Sequence, residues 1–478
     1  MTSTNAAESD VQELARFGYS QQLNRTLGSF SSFALSFSVI CITSGLFADY
    51  GRGLRVGGPA FVWTWLIVGI GQFLVALVFA QLARQIPLSG YAYQWTRELA
   101  GPWMGCCAGW MMIVQIVTGM AGVAYALASY LVPFFGITNT SRHIVAATIA
   151  TLLLAGLINH FGIKLASLVN DVSVIAEMLG SVLIAILLLV VALIRKVHTI
   201  GYLFTHPQQP GGTAYLAAFF AASLMSVWTI GGFEAAANVA EETQMPRKRI
   251  PTAILAAEGS AVLLGFIMLI GFTLAIPSLE RVVEHPTPAL YIIASYFPGY
   301  VVNAALLLVS IAIFACVLAN LTTVTRLVWA MARDGRLPAS KFLSRVSKHK
   351  VPGNAIWVAI AITSVFTWWA QIEVVIMVIC TFAMYVTYGI VVGAALWGST
   401  GLDHQSSGSS KRIVSRPVCV AALGWIGSII TLLIYMSAQQ FSRRAVVAVT
   451  FILLLSCIIG LGYRLFLWHD SLAVTTRN

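Results

Sequence analysis

The sequence predicts an all-α membrane protein of about twelve transmembrane helices, and three observations carry that expectation. Hydrophobic residues make up 58% of the 478-residue chain and charged residues only 9%, with a mean hydropathy of +0.85. A soluble domain is about one-quarter charged. Apolar runs of the roughly 20 residues needed to cross a bilayer recur from about Leu27 to Leu467. Two of those runs, the first and the sixth, are interrupted near their middles, and broken membrane helices are expensive enough to be functional as a rule.

Residues 1–26 are polar and read as a cytoplasmic tail with no cleavable signal peptide. The first span, Leu27 to about Tyr50, is rich in hydroxyls. Its Thr43-Ser44-Gly45 should loosen the helix, because such side chains compete for backbone hydrogen bonds. Further spans are expected at Pro59–Leu82, Trp103–Pro133, His143–Leu157 and Leu165–Ile194, with loops between them that include the inner segment Pro87–Leu99. The sixth span begins near Tyr215 and loses its helical logic at Thr229-Ile230-Gly231-Gly232. It resumes through Phe233 and Glu234 as far as Glu241 and Glu242. Each glycine costs about 1 kcal/mol against alanine in a helix, so the pair marks a break. Spans at Ala253–Ile276, Tyr300–Met331, Ala355–Ala370, Val374–Trp397, Val418–Met436 and Val446–Trp468 follow. An outer loop bears Pro286 and Pro288, and a Ser/Gly-rich linker covers Ser399–Ser415.

Because each broken span opens a block of about five, the pattern is that of two inverted repeats. They run over about 27–195 and 213–398, with two extra helices over about 417–468 and a cytoplasmic tail at 469–478, so that 27–468 form a single transmembrane domain. The net charge of +11 does not indicate nucleic acid. With a cytoplasmic amino terminus, about 20 of the 28 Lys and Arg fall on the inner side, the bias that orients membrane proteins. The densest basic group, Arg333, Arg336, Lys341, Arg345, Lys348 and Lys350, would meet anionic lipid headgroups. The seven cysteines lie in or near apolar segments without metal-ligand spacing and read as small core residues. Asn139-Thr140-Ser141 is a glycosylation sequon in an expected outer loop.

Four segments, in order, resemble the amino acid, polyamine and organocation permeases, nearest the branch that carries 4-aminobutyrate, choline and related amines. They are Leu23–Ala34 before and within the first span, Gly57-Gly58-Pro59-Ala60 with Trp63 and Trp65, Pro246–Ile254, and Arg333-Asp334-Gly335-Arg336-Leu337-Pro338. The resemblance implies a LeuT-like five-plus-five inverted repeat with discontinuous first and sixth helices plus two extra helices. It also implies a substrate site at the two breaks. Residues carried over to that site are Cys41, Thr43, Ser44 and Gly45 from the first break, and Trp228, Ile230, Gly231, Gly232, Phe233 and Glu234 from the sixth. Asn320 is added from the eighth span. Thr43 departs from the small-residue turn of many amino acid carriers, which shifts weight towards ligands defined by an amine.

Glu177 lies mid-span in the fifth helix, where a charged and unpaired group costs at least about 2.5 kcal/mol. It aligns with a lysine of proton-driven relatives. Either it exchanges a proton during the cycle, or it is a structural group bonded to a neighbouring helix. Glu234 is the second proton-coupling candidate; ionised, it would attract a cationic substrate, and protonated, it would support the gate. Glu241 and Glu242 are expected to form interfacial ion pairs near Arg247, Lys248 and Arg249, with a role in a cytoplasmic gate as the alternative.

These readings converge on a secondary active permease of the plasma membrane, taking up an amino acid or related amine by alternating access with a proton, or a sodium ion, as coupling partner. The same scaffold accommodates a substrate exchanger or a nutrient sensor. No cofactor, metal or nucleic-acid partner is expected. An enzyme is disfavoured, since the eight histidines are scattered and no nucleophile–base spacing occurs.

Overall fold

Apart from one isolated bridge, every regular element in the computed structural model is helical; it describes residues 3–206, 212–370, 373–401 and 414–440. An N-terminal helix, α1 (Ser3–Arg16), precedes the bundle. The first span is two helices, α2 (Ser29–Ile40) and α3 (Ile42–Gly57), joined at Cys41, whose φ of 44° and ψ of 71° are left-handed. The break therefore lies just ahead of the expected Thr43-Ser44-Gly45, which form the first turn of α3. The reason is local: the Ser44 hydroxyl and the Gly45 N–H both donate to the Cys41 carbonyl, at 2.9 and 3.3 Å, so these residues close the new helix instead of loosening the old one.

A 3-10 turn at Pro59–Val62 leads into α4 (Trp63–Gln85). The segment expected as an inner loop contains α5 (Tyr91–Ala100), followed by α6 (Pro102–Phe134), α7 (Ser141–His160) and α8 (Ile163–Ile194). Thr140 of the sequon caps α7, accepting the His143 N–H at 3.3 Å. The sixth span is split into α9 (Gly212–Ala222), α10 (Leu224–Thr229) and α11 (Ala235–Asn238), with a 3-10 turn at Ala240–Glu242. Helix resumes at Ala235, so Phe233 and Glu234 belong to the break. There follow α12 (Pro246–Leu274), α13 (Leu279–Glu284) and α14 (Pro288–Ala294) within the expected proline loop, α15 (Gly299–Arg333), α16 (Ser340–Leu343), α17 (Gly353–Ala370), α18 (Glu373–Gly401) and α19 (Arg416–Gln440). Prolines at the first turns of α6, α12 and α14 fit positions whose amides have no helical acceptor.

Among the described residues, nine spans are long and apolar enough to cross a bilayer, and Tyr215–Thr229 and Gly353–Trp369 are shorter apolar helices. The expected twelfth span, Cys457, most of the Ser399–Ser415 linker and the 469–478 tail lie outside the described residues. Large apolar side chains face outward, among them Leu179 at 69% exposure and Ile194 at 76%, as a lipid-facing surface requires.

In the interior, α12 packs against α4, α2 and α8, and α6 against α18 and α15. The two broken spans touch at their breaks. A Cβ on Gly45 would run into the Thr229 side chain, and one on Gly232, at φ 93°, into the Val39 side chain, so each glycine makes room for a side chain of the other broken span.

Candidate functional site

At the first break, α3 begins with its amides directed back into the bundle, and one is held from behind. Glu177 on α8 accepts the Thr43 N–H at 3.3 Å and the Thr43 hydroxyl at 2.7 Å through the same carboxyl oxygen. A carboxylate at a helix N-terminus is favourable both as hydrogen-bond acceptor and against the helix dipole. Cys41 points its thiol towards the Ala312 carbonyl of α15. Cys41, Thr43 and Glu177 thus tie the first span to α8 and α15.

The sixth-span break is held from the other side. The Gln72 amide on α4 donates to the Ile230 carbonyl at 2.5 Å, and the Gly232 N–H donates to the Tyr388 hydroxyl at 3.1 Å. The Ala236 N–H, in the first turn of α11, donates to Ser36 of α2 at 3.0 Å. Glu234 is 1% exposed; its two oxygens accept from the hydroxyls of Tyr91, at 3.0 Å, and Tyr388, at 2.7 Å. Phe233 is buried in an aromatic cluster with Phe79 and Tyr388, at centroid distances of 6.0 and 5.6 Å.

Between the breaks lies a cavity of about 50 Å³. Of the residues singled out in the sequence, Ser44, Trp228, Gly231, Gly232, Glu234 and Asn320 line it. Cys41, Thr43, Gly45, Ile230 and Phe233 do not: they hold the breaks in place around it. Asn320 turns its amide nitrogen back onto the Cys316 carbonyl at 2.9 Å. Sequence reasoning missed Gln115, Thr323, Cys380 and Met384, which share the lining, and Gln72, Tyr91 and Tyr388, which position it. A polar side chain inside an otherwise apolar span was the available signal for Gln72 and Gln115. The tyrosines gave none, since their function depends on which helices pack together. The space is well below the roughly 150 Å³ that accommodates a benzene ring, so loading an amino acid requires the walls to part.

One end of the bundle, here the basal face, carries α1 and the segment after it, and a dense lock of charges closes it. Arg326 on α15 grips Glu242 through two hydrogen bonds of 2.9 and 3.0 Å, both side chains having no exposed surface. Arg333 grips Glu241 at 2.8 and 3.1 Å and stacks on Tyr19 at 3.7 Å. Glu241 and Glu242 are therefore buried and paired with α15, in place of the expected interfacial pairs with Arg247, Lys248 and Arg249. The chain from Val239 to Gln244 folds back into the bundle beneath the break, its carbonyl at Glu242 and N–H at Gln244 bonded to Leu27. Asp334 accepts from Tyr19 and Tyr93, each at 2.8 Å, and from Arg97. Burial, and then the bond to Asp334, hold the Tyr19 hydroxyl above its ordinary titration range, so it stays a donor near neutral pH. Gln21 and Arg25 add bonds of 2.9 Å to the Glu241 and Thr243 carbonyls.

The family described as amino acid permease matches residues 27–462. The chain is 28% identical over 423 residues to the amino-acid permease BAT1 of Arabidopsis thaliana, covering 80% of each. It is 26% identical to the branched-chain amino acid permease BcaP of Bacillus subtilis, covering 70% of this chain and 73% of that one. It is also 26% identical to the GABA-specific permease of Saccharomyces cerevisiae, covering 73% of this chain and 64% of that one.

Proposed function

This chain belongs to the amino acid permease family, and on that premise we propose that it is a proton-coupled carrier taking up an amino acid or related amine by alternating access at the plasma membrane. The protein is a multi-pass membrane transporter, not an enzyme. The substrate class we favour is 4-aminobutyrate, choline and polyamines, with the basal face and both termini cytoplasmic. The observation that carries this reading is the cavity bounded by both broken spans and by one carboxyl, Glu234.

The arrangement suits a molecule with an amine at one end. An ammonium group beside Glu234 and Gln115 would replace donors that the Glu234 carboxyl now takes from Tyr91 and Tyr388. A carboxylate or hydroxyl at the other end would meet Ser44 and the first turn of α3, the positive end of that half-helix. Closure of Trp228 and Met384 over the ligand would exclude water. Release to the basal side would then require the Glu241–Arg333, Glu242–Arg326 and Asp334 contacts to separate.

Purified protein in liposomes tests this directly. Labelled 4-aminobutyrate, choline, spermidine and neutral amino acids would be offered with an inward pH gradient and no internal substrate. Accumulation of an amine under the gradient is the expected result. Uptake that occurs only with substrate already inside would make the protein an exchanger, and no uptake of any amine would overturn the substrate class.

A further inference from the structure

α12 and α4 run antiparallel, and two close approaches fix their register. A Cβ on Gly265 would strike the Trp65 ring, and one on Gly69 would strike Val262. The Trp65 indole also donates to the Val262 carbonyl at 2.9 Å. Residues 265, 262 and 258 share one face of α12, and 65, 69 and 72 share the face of α4 that meets it, because spacings of three and four align along a helix. The next pair along this seam is Glu258 with Gln72.

Glu258 has no exposed surface, and among the described residues neither of its carboxyl oxygens has a hydrogen-bond partner. Gln72 gives its amide nitrogen to the Ile230 carbonyl and leaves its own Oε1 unpartnered. The titratable groups that act on Glu258 are Glu234 and Tyr385, the latter on α18 just ahead of the Tyr388 that binds Glu234. Among the described residues, Glu258 forms no ion pair with a lysine, arginine or histidine. A carboxylate so placed would be a buried, uncompensated charge, which is costly to take out of water. A carboxylic acid carries no such penalty. Glu177 differs, with two donors from Thr43 on one oxygen, and Glu234 differs, with two tyrosine hydroxyls.

We propose that Glu258 is the residue that holds the coupling proton in the closed carrier, while Glu234 meets the substrate's amine. The assignment rests on the proton-coupled reading above and deepens it. Gln72 links the two: it touches the break through Ile230 and faces Glu258 along the seam, so a shift of the break changes the packing over Glu258. When that packing loosens and water enters, the Glu258 O–H bond breaks, the proton passes to water, and the carboxylate remains until a proton from the opposite side restores it.

The test uses wild type and Glu258→Gln in liposomes, with the amine that wild type accumulates. Accumulation driven by the pH gradient and counterflow of labelled against unlabelled substrate are read in parallel. Glu258→Gln should lose gradient-driven accumulation and keep counterflow, and its uptake rate should no longer vary with pH. A merely structural role would lower both transport modes together and leave the pH profile in place. If Glu258→Gln still accumulates substrate under the gradient, the assignment fails while proton coupling stands. Wild-type uptake that ignores the gradient overturns the coupling, and this assignment with it.

Should Glu258→Gln not fold, infrared difference spectra of wild type labelled with isotopic glutamate decide the matter. A carbonyl band of a protonated glutamate that disappears at alkaline pH and shifts on adding the amine supports the proposal. Absence of any such band at neutral pH overturns it.

Discussion

The acidic side chains of the basal face and those at mid-span are all withdrawn from solvent, Asp334 only partly, but they are differently held. Glu241, Glu242 and Asp334 each have an arginine: Arg333, Arg326 and Arg97. Among the described residues Glu177, Glu234 and Glu258 have none, and receive only hydroxyl or amide donors or, for Glu258, no partner. An arginine keeps its charge at any working pH, so the basal pairs are fixed in charge and can only be made or broken as units. A carboxyl held by neutral donors can change its charge at modest cost when a proton or an ammonium group arrives. The basal face is thus built as a mechanical lock, and the mid-span layer as the part whose charge responds to ligands.

Breaking the lock should give the largest effect. Removal of one partner of a buried pair strands the other, so Arg326→Ala should destabilise the protein by about 3–5 kcal/mol, measured as thermal or denaturant unfolding in detergent. Replacing both members, as in Arg326→Met with Glu242→Leu, should recover most of that loss, because the penalty arises from the stranded charge. If the single and double variants are equally unstable, the pair is not the lock described here.

The mid-span layer should respond through binding before stability. Glu234→Gln keeps the shape and removes the charge, and a charged hydrogen bond contributes about 1.5–3 kcal/mol, so the dissociation constant of the transported amine should rise roughly ten- to hundredfold. Ligand-induced thermal shift reports this directly. An unchanged affinity would remove Glu234 from the substrate contact and leave it as a gate residue alone.

How much of this was legible beforehand follows from the same contrast. The spans, the two breaks and Glu234 are written in local composition: apolar runs, a glycine pair, an acid in lipid-depth sequence. The left-handed turn at Cys41 was not, because cysteine carries no turn preference. The break is held there by Glu177, which is 136 positions downstream of Cys41 in the chain. The basal pairs are hidden from the sequence for a related reason. Arg247, Lys248 and Arg249 are near Glu241 and Glu242 in sequence, but the chain reverses after Val239 and turns the two acids towards α15. Proximity along the chain ranked the wrong arginines.

The smallest predicted effect compares the two hydroxyls on Glu234. Tyr388 donates to Glu234 and also accepts the Gly232 N–H, whereas Tyr91 makes only the bond to Glu234. Tyr388→Phe therefore leaves a backbone donor of the break unpaired as well as weakening the hold on the carboxyl. A net hydrogen bond contributes about 1 kcal/mol and a stranded buried donor costs about 1–3, so Tyr388→Phe should lower stability by about 2–4 kcal/mol and Tyr91→Phe by about 1. Thermal unfolding of the two variants without ligand gives the ranking. Equal losses would mean that the Gly232 bond contributes nothing to stability.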